Sequence, residues 1–309
     1  MKLLSLEKTI RIGTRDSELA LWQANTVKSK LENLGYKTEL LPVKSTGDLI
    51  LDKPLYEMGI TGIFTKTLDV AMINGMVDIA VHSMKDVPTL LPRGIVQTAV
   101  LARASSQDIL VTNGEFDYEK PCTIATGSLR RQAQWLHRYP NHNLVDLRGN
   151  VNTRLQKLED NKWEGAIFAK AGLERINVLP TNYIDLDWMT PAPAQGVMVI
   201  VAMENDTFSI EATSKLNHLS SEICTHIERE FLNTLEGGCT APIGAFAEIV
   251  ADKVLFKGCL FSLEGKEKLE IEKSIETSEY KNFGKECALY ILKHGGKELM
   301  AKIKRHTGK

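Results

Sequence analysis

The sequence lacks a long apolar run. None of its stretches approaches the roughly 20 consecutive apolar residues that a helix needs to cross a bilayer. The N-terminal residues also lack the extended apolar region of a secretion signal. We therefore expect a cytoplasmic protein with no membrane partner.

Cysteine is scarce, and its number is odd. The chain has five cysteines and no CxxC spacing. A complete disulfide framework and a cysteine-based zinc site are both disfavoured by this pattern. We expect reduced thiols and no bound metal. The five residues are Cys122, Cys224, Cys239, Cys259 and Cys287.

An excess of either charge is also missing. The net charge is -1, so nothing in the overall composition favours nucleic acid or an anionic membrane as a partner. Any electrostatic recognition must come from local clusters. The length of 309 residues favours two or three domains over a single core.

Short apolar runs alternate with helical patterns through the first two-thirds of the chain. This alternation predicts mostly parallel sheets with helices on both faces. The pattern restarts after about residue 103, which indicates two similar α/β units, and Pro191–Gly196 is typical of a crossing between them. The predicted strands are 9–13, 38–43, 78–81, 95–101, 109–111, 123–125, 144–147, 165–169 and 197–202, and the predicted helices are 18–34, 64–74, 128–138 and 151–159.

The last third has a different pattern. A helix at 221–235 is followed by alternating segments at 245–250, 254–260 and 268–275, and one closing helix runs from about 282 to 303. This predicts a small α+β domain. The expected division is domain 1 at 1–102 with 196–218, domain 2 at 103–195, and domain 3 at 219–309.

Two junctions between a strand and a helix are candidate anion sites. Arg15 and Ser17 stand at the first, where free amide N–H groups favour an anion, although plain helix capping also explains them. The second is Ser128 with Arg130 and Arg131 in the first turn. A cation at this end of a helix is unfavourable by up to about 1 kcal/mol, because the helix dipole is positive there. A bound anionic ligand would offset this cost.

The segment VHSMKDVP follows a buried strand, where open α/β sheets place ligands. Its Asp86 can stabilise a cation or transfer protons. A solvated pair of Lys85 and Asp86 on a surface loop is the alternative.

Basic residues are concentrated between Thr123 and Arg175, which hold nine Lys or Arg against five Asp or Glu. Arg148 and Arg154 belong to this stretch. Arginine binds carboxylates through two parallel hydrogen bonds, so a substrate with many carboxylates fits. Phosphate would fit too, but few aromatic residues are present for stacking nucleic acid bases.

Cys239 lies on a glycine-rich turn after a helix, in EGGCTAPIG. Such a turn presents the thiol and lets a ligand approach the backbone. The alternative is a cysteine that fills a small gap in the core. His82 is the one histidine within a motif, so a cysteine hydrolase or transferase is weakly supported.

These motifs together resemble the hydroxymethylbilane synthase, or porphobilinogen deaminase, family. The order RIGTRDSELALWQA, VHSMKDVPT, ATGSLRRQAQ, LRGNVNTRL, AKAGLERI, PAPAQG and EGGCTAPIG carries the resemblance over about residues 10 to 250. It implies an enzyme of haem biosynthesis that condenses four porphobilinogen molecules into linear hydroxymethylbilane and releases ammonia. It also implies two α/β domains like those of type II periplasmic binding proteins plus a small α+β C-terminal domain.

The resemblance also implies roles for individual residues. Asp86 corresponds to the catalytic acid, which stabilises cationic pyrrole intermediates and shuttles protons. Cys239 corresponds to the thioether anchor of a dipyrromethane cofactor. The cofactor-binding residues would be Ser83, Lys85, Ser128, Arg130, Arg131, Arg148 and Arg154, and the substrate-binding residues Arg15, Ser17 and Arg175.

This sequence departs from the family pattern at three places. Thr61 stands where the family often has a lysine, Ala194 replaces a glycine of the crossing segment, and acidic Asp16 and Glu18 flank Ser17. The resemblance implies a monomer that binds porphobilinogen and no nucleic acid. The rival hypothesis, a two-lobed binding protein for an anionic solute, is disfavoured by the missing signal and the Gly-Gly-Cys turn.

Overall fold

The computed structural model describes residues 8–43, 65–235 and 241–307. No helix within these ranges is long and apolar enough to span a membrane. Their strands are β1 (Ile10–Thr14), β2 (Thr38–Pro42), β3 (Ile79–Ser83), β4 (Ile95–Val100), β5 (Asp108–Thr112), β6 (Thr123–Ala125), β7 (Asn143–Val145), β8 (Gly165–Ala169), β9 (Tyr183–Asp185), β10 (Met198–Met203), β11 (Ile243–Val250), β12 (Lys253–Phe261) and β13 (Lys268–Glu276).

Helices alternate with these strands, and a short 3₁₀ turn, Met84–Asp86, follows β3. The helices of the described ranges are α1 (Glu18–Asn33), α2 (Lys66–Ile73), α3 (Leu129–Arg138), α4 (Val151–Asp160), α5 (Lys170–Arg175), α6 (Thr207–Ser214), α7 (Leu219–Thr234), α8 (Phe283–Ile291) and α9 (Lys297–Thr307).

The chain divides into two compact units, whose described parts are 8–43, 65–104 and 196–222 in the first, and 105–195, 223–235 and 241–307 in the second. The first unit contains a five-stranded sheet in the order β2-β1-β3-β10-β4. β1 runs parallel to β2 and β3, whereas β10 is antiparallel to β3 and β4.

The second unit contains a sheet with the same arrangement, β7-β6-β8-β5-β9. β6 runs parallel to β7 and β8, and β5 is antiparallel to β8 and β9. In each sheet the antiparallel strand is the one that the chain reaches directly after leaving the other sheet. The expected crossing at Pro191–Gly196 agrees with this path, since β9 precedes the segment and β10 follows it.

The prediction of mostly parallel sheets was wrong, because half of the strand pairings in each sheet are antiparallel. A strand that arrives from another sheet is not preceded by a helix of its own unit. Its direction is therefore not set by a right-handed βαβ crossover, which is the connection that makes neighbouring strands parallel.

The C-terminal part forms a third sheet, in the antiparallel order β11-β12-β13. Helices α7, α8 and α9 supply the other half of its core, in which Phe231 on α7, Phe256 on β12 and Phe283 on α8 pack edge to face. Two α/β domains and a small α+β domain confirm the predicted fold class. The exact domain boundaries remain a proposal.

The expected single closing helix was wrong. Gly295 has φ 106° and His294 is also non-helical, so the chain breaks between α8 and α9. Glycine tolerates this left-handed backbone, whereas a residue with a Cβ disfavours it. The helical pattern continues on both sides, which hides the break in the sequence.

The apolar face of α1 also differs from the pattern. The sequence places Leu19, Trp22, Val27, Leu31 and Leu34 on one face, but Trp22 and Leu34 are 37% and 46% exposed. The buried stripe is Ala20, Ala24, Val27 and Leu31, spaced at three and four residues as helix geometry requires. Small alanines let the helix lie close to the sheet.

Candidate active site

The short 3₁₀ turn that follows β3 contains Asp86. Met84 and Val87 are buried and anchor the loop, and the backbone N–H of Met84 donates to Val197 O at 2.9 Å. Between these anchors, Lys85 and Asp86 are half-buried. The Asp86 carboxylate makes no hydrogen bond or ion pair within the described residues, which leaves its oxygens available for proton transfer.

Two neighbours of this loop differ in their contacts. The Ser83 hydroxyl accepts a hydrogen bond from Gln23 Nε2 at 2.8 Å. His82 is 6% exposed, and its Nε2 has no hydrogen-bond partner among the described residues. Burial, reinforced by the charge of Arg15, lowers the pKa of His82 to about 4, so the ring is neutral at neutral pH.

Arg15 and Ser17 lie in the same unit, at the start of α1. Ser17 occupies the N-cap position, but its side chain makes no capping hydrogen bond. Capping by Ser17 therefore does not account for this junction. The Ser17 hydroxyl and the first amides of α1 could receive a carboxylate. Arg15 is half-buried beside them.

The second unit contains a buried charge cluster, which we define as Asp108, Arg130, Arg131 and Gln195. Arg130 Nη1 donates to Asp108 Oδ2 at 2.7 Å and to Thr190 O at 2.8 Å. Arg131 donates from Nε and Nη2 to Asp108 Oδ1 at 3.1 and 2.8 Å, and from Nη1 to Ile167 O at 2.8 Å. Gln195 Nε2 donates to Asp108 Oδ1 at 2.9 Å.

Asp108 is fully buried, and the two arginines are at most 6% exposed. Burial alone would raise the pKa of Asp108, but the charges of Arg130 and Arg131 outweigh it and hold that pKa well below its usual value. The cluster therefore combines two guanidinium charges with one carboxylate charge. Arg130 Nε, in addition, is buried and has no hydrogen-bond partner in the part of the chain that the structure describes.

Ser128 occupies the N-cap position of α3, directly before the cluster. Its side chain makes no capping hydrogen bond, as for Ser17 on α1. The first turn of α3 contains no acidic residue, so the dipole of this helix is not offset there.

The segment Arg148–Arg154 forms a second basic region of the same unit. Arg148 is 5% exposed, and burial lowers its pKa while exposed Asp146 opposes this shift. Arg154 Nε donates to Gly149 O at 2.8 Å, which fixes the start of α4. A Cβ on Gly149 would lie 2.7 Å from Thr153 Cγ2, so this tight turn requires glycine.

Of the two remaining expected site residues, Arg175 and Cys239, the structure describes only Arg175. Arg175 ends α5 half-buried, and burial lowers its pKa to about 10. Cys239 and Thr61 lie outside the described residues. The chain is described again from Ala241, two residues after Cys239.

In the residues that the structure describes, no group of three or more His, Cys, Asp or Glu could hold a metal ion. The four described cysteines, Cys122, Cys224, Cys259 and Cys287, are free and buried. Burial raises the pKa of each thiol for which a shift is resolved, to about 11 at Cys287. None of the four has the exposed, acidic thiol of a nucleophile.

The expected site residues thus fall into two groups, one in each unit. The first unit contains Arg15, Ser17, Ser83, Lys85 and Asp86, and the second contains Ser128, Arg130, Arg131, Arg148, Arg154 and Arg175. Sequence reasoning missed Asp108 and Gln195. An aspartate that begins the apolar strand DILV was the available signal, since a buried charge requires a partner.

Comparison with family models decides which of the rival hypotheses holds. A model described as "Porphobilinogen deaminase, dipyromethane cofactor binding domain" matches residues 10–211, and "Porphobilinogen deaminase, C-terminal domain" matches residues 222–293. The chain belongs to the porphobilinogen deaminase family. The resemblance stated from the motifs is confirmed, and so is the expectation of a dipyrromethane cofactor at the level of the family.

Curated relatives named porphobilinogen deaminase cover nearly the whole chain. The protein of Geotalea uraniireducens is 40% identical over 96% of this chain and 95% of its own. That of Campylobacter jejuni is 39% identical over 94% and 97%. That of Syntrophomonas wolfei is 36% identical over 96% and 100%.

Solved structures of solute-binding proteins are similar only weakly to this porphobilinogen deaminase family member. An ancestral cationic amino acid solute-binding protein, AncCDT-1, has 14% identity and a TM-score of 0.43, over 69% of this chain and 90% of that one. A substrate-binding domain of a putative amino acid transporter from Streptococcus pneumoniae has 10% identity and a TM-score of 0.43, over 67% and 91%. Scores below 0.5 give no support to the solute-binding alternative.

Proposed function

We propose that this protein is the transferase that condenses four porphobilinogen molecules head to tail into linear hydroxymethylbilane, with release of ammonia. The observation that carries the proposal is the family match, which extends over both the cofactor-binding and the C-terminal domains. This places the enzyme in tetrapyrrole and haem biosynthesis.

The described residues fit a dipyrromethane cofactor attached to Cys239. The buried charge cluster has one positive charge in excess, and Arg130 Nε has no acceptor among the described residues. A ligand carboxylate would neutralise this charge and accept the hydrogen bond from Nε. When bound, the cofactor supplies the covalently held end to which pyrroles are added. Its carboxylates would be held by Ser83, Lys85, Ser128, Arg130, Arg131, Arg148 and Arg154.

The position of Cys239 in the chain is compatible with this role. After the undescribed residues, β11 runs against the segment that ends domain 2, since Ala245 N–H donates to Pro191 O at 3.0 Å. The neighbouring Thr190 O accepts the hydrogen bond from Arg130. The chain that follows Cys239 therefore packs against the residues that support the cluster.

Asp86 is the catalytic acid. In its protonated form, Asp86 donates a proton to the amino group of porphobilinogen, which leaves as ammonia, and the resulting carboxylate later takes up the proton that the new carbon–carbon bond displaces. Between these transfers its negative charge stabilises positive charge on the reacting pyrrole. A carboxylate already paired with arginine could serve neither purpose well, and Asp86 has no such pair in the described residues.

Arg15, Ser17 and Arg175 hold the carboxylates of incoming porphobilinogen or of the growing chain. Each charge-assisted hydrogen bond contributes roughly 1.5–3 kcal/mol. Burial of Arg175 strengthens such a contact, because water competes less for its guanidinium. The enzyme acts as a monomer in the cytoplasm and binds no nucleic acid, in agreement with its net charge of -1.

Turnover of porphobilinogen tests this function. The purified protein should consume porphobilinogen and release one ammonia for each molecule consumed, with a linear tetrapyrrole as product. A solute-binding protein would bind the compound and release no ammonia. Binding without ammonia release would therefore overturn the proposal.

A further inference from the structure

The turn between β12 and β13 lies directly against the backbone of α3. A Cβ atom placed on Gly265, in this turn, would lie 2.4 Å from Ala133 O and 2.6 Å from His137 N. These two backbone atoms stand four residues apart, as the hydrogen-bonding partners of an α-helix do. Because neither is the movable end of a side chain, only glycine fits at this contact. Gly265 also has φ 70°, a conformation that glycine tolerates best.

Side chains around Gly265 hold the turn in this place. His137 Nδ1 donates to Gly265 O at 2.7 Å, and the Phe261 ring packs edge to face on the His137 ring, with centroids 5.2 Å apart. Phe261 also joins Ala133 and Cys259 in a small buried cluster. The short Ala133 side chain leaves room at the helix backbone, so the turn and α3 meet at close range.

A second close contact joins the same two parts of the chain at β11. A Cβ on Gly244 would lie 2.9 Å from Thr190 Cβ and 2.8 Å from Cys259 Sγ. The next residue, Ala245, donates its backbone N–H to Pro191 O at 3.0 Å. Strand β11 is thus fixed beside Thr190, while β12 leads into the turn that lies on α3.

These contacts connect the start of α3 with the strand that follows Cys239. Ser128, Arg130 and Arg131 stand at the start of α3 and are proposed to hold the cofactor. Cys239, the proposed anchor, comes five residues before Gly244 in the sequence. The described residues of both parts belong to the second compact unit. A shift of the third sheet relative to α3 would therefore change where the anchored end of the cofactor stands relative to the start of this helix.

We propose that Gly265 is a positioning residue: it lets the β12–β13 turn lie on the α3 backbone and so fixes the third sheet relative to the start of that helix. In this role Gly265 touches neither the cofactor nor the substrate. The role rests on the proposed function, because it assumes that pyrroles are added to a chain anchored at Cys239. It concerns how precisely that chain is placed, and not which groups bind it.

Gly265→Ala should affect kcat and KM differently. Ordinary van der Waals contact begins at about 3.4 Å, so the new methyl group would push the turn away from α3 by about 1 Å. A misplacement of this size can slow a reaction by on the order of a hundredfold, so we expect kcat to fall by about tenfold or more. KM for porphobilinogen should change by about twofold or less, because Arg15 and Ser17, two of the proposed substrate ligands, belong to the first unit.

Gly295→Ala is the matched control, since Gly295 also has positive φ and lies in the C-terminal domain. Its φ is 106°, but an added Cβ would come no closer than 3.9 Å to another atom. Backbone strain in this domain is therefore common to the two variants, whereas the shift against α3 occurs only in Gly265→Ala. Gly295→Ala should keep kcat within about twofold of the wild type. The measurement is steady-state ammonia release by the full-length holoenzyme, well below the thermal midpoint of each variant.

A second pair of variants tests the same contact if Gly265→Ala is too unstable to assay. His137→Ala removes the hydrogen bond that joins α3 to Gly265 O, and His137 is exposed, so the fold should persist. His306→Ala removes a bond of the same kind, from Nδ1 to Lys302 O at 2.9 Å, but within α9. Because the turn is then held less firmly, kcat of His137→Ala should fall by about threefold, as expected for the loss of one hydrogen bond. The kcat of His306→Ala should not change.

Near-wild-type kcat in folded Gly265→Ala would overturn the positioning role, and so would equal losses in Gly265→Ala and Gly295→Ala. Equal kcat values of His137→Ala and His306→Ala would overturn it as well. Wild-type holoenzyme that releases no ammonia from porphobilinogen would instead refute the proposed function, on which the role of Gly265 depends.

Discussion

At the scale of single residues, Asp86 differs from the structural aspartates of this protein. Asp86 is half-buried between the anchored Met84 and Val87, with no hydrogen bond or ion pair in the described residues. Structural aspartates of this protein, such as Asp78, which pairs with Arg11 at 2.8 Å, are bonded. An unpaired acid at a fixed position is what proton transfer requires.

We therefore expect Asp86→Asn to fold normally and to lose turnover by on the order of a hundredfold or more, because an amide cannot transfer the proton. The steady-state rate of ammonia release measures this. Asp252→Asn is a matched control, since Asp252 is exposed at the turn between β11 and β12. Near-wild-type turnover of Asp86→Asn would remove the acid from the mechanism.

The low pKa of His82 predicts how the free energy of unfolding depends on pH. Its pKa is about 4 in the folded protein and near 6.5 in an unfolded chain, so between these values only the unfolded state binds the proton. The contribution of His82 to the free energy of unfolding is therefore complete above about pH 6.5. It is lost as the pH falls towards 4, by a total of about 3 kcal/mol.

Urea unfolding between pH 7.5 and 4.5 tests this expectation. The fall in the free energy of unfolding over that range should be smaller in His82→Gln than in the wild type. His306→Gln, which replaces an exposed histidine, should keep the wild-type dependence. An unchanged pH dependence in His82→Gln would show that the buried ring is not the responsible group.

Sequence patterns identified candidate site residues, but they did not predict which residues those candidates contact. The sequence indicated that the charges of Arg130 and Arg131 are unfavourable beside the dipole of α3, which marked both residues as candidates for ligand binding. It could not reveal that Asp108, more than 20 residues earlier, accepts from both. These ion pairs form only because β5 and α3 come close together in the folded domain. A local sequence pattern contains no information about that contact.

At the scale of elements, backbone conformation explains most of the differences from the predicted pattern. The helical periodicity at 282–303 was correct on each side of Gly295, but the break is a left-handed residue, which periodicity does not detect. The strand directions likewise follow from the path of the chain between sheets. Most other strands and helices were predictable because apolar residues recur at the spacing of each element, but the short elements α5, β9 and α6 were not predicted.

Gly295 offers a test of the break between α8 and α9. A Cβ added there would come no closer than 3.9 Å to another atom, so backbone strain alone should oppose a side chain. Gly295→Ala should lower the free energy of unfolding by about 1–2 kcal/mol. Gly295→Asn should lower it less, because asparagine tolerates positive φ better than alanine does.

Urea unfolding of the two variants at neutral pH measures this difference. Both substitutions remove glycine, so the asparagine variant controls for lost glycine flexibility in the unfolded chain. Equal free energies of unfolding of Gly295→Ala and the wild type would mean that the chain does not need the left-handed backbone conformation at residue 295.

At the scale of the whole molecule, Asp86, the proposed acid, and the buried charge cluster belong to different compact units, and Cys239, the proposed anchor, precedes the third sheet in the chain. The presence of two α/β domains and a small C-terminal domain was predictable because the strand–helix pattern restarts and then changes. The family motifs linked these separate parts to one reaction. Composition alone could not predict this reaction, since a net charge of -1 does not indicate a polyanionic substrate.

The intact mass of the protein, expressed with porphobilinogen available, tests the central claim most directly. The wild type should exceed its polypeptide mass by two pyrrole units, and Cys239→Ala should show the polypeptide mass alone. Cys122→Ala, which replaces a buried free thiol, should keep the adduct. A wild-type mass equal to that of the polypeptide, or an adduct retained in Cys239→Ala, would contradict the account.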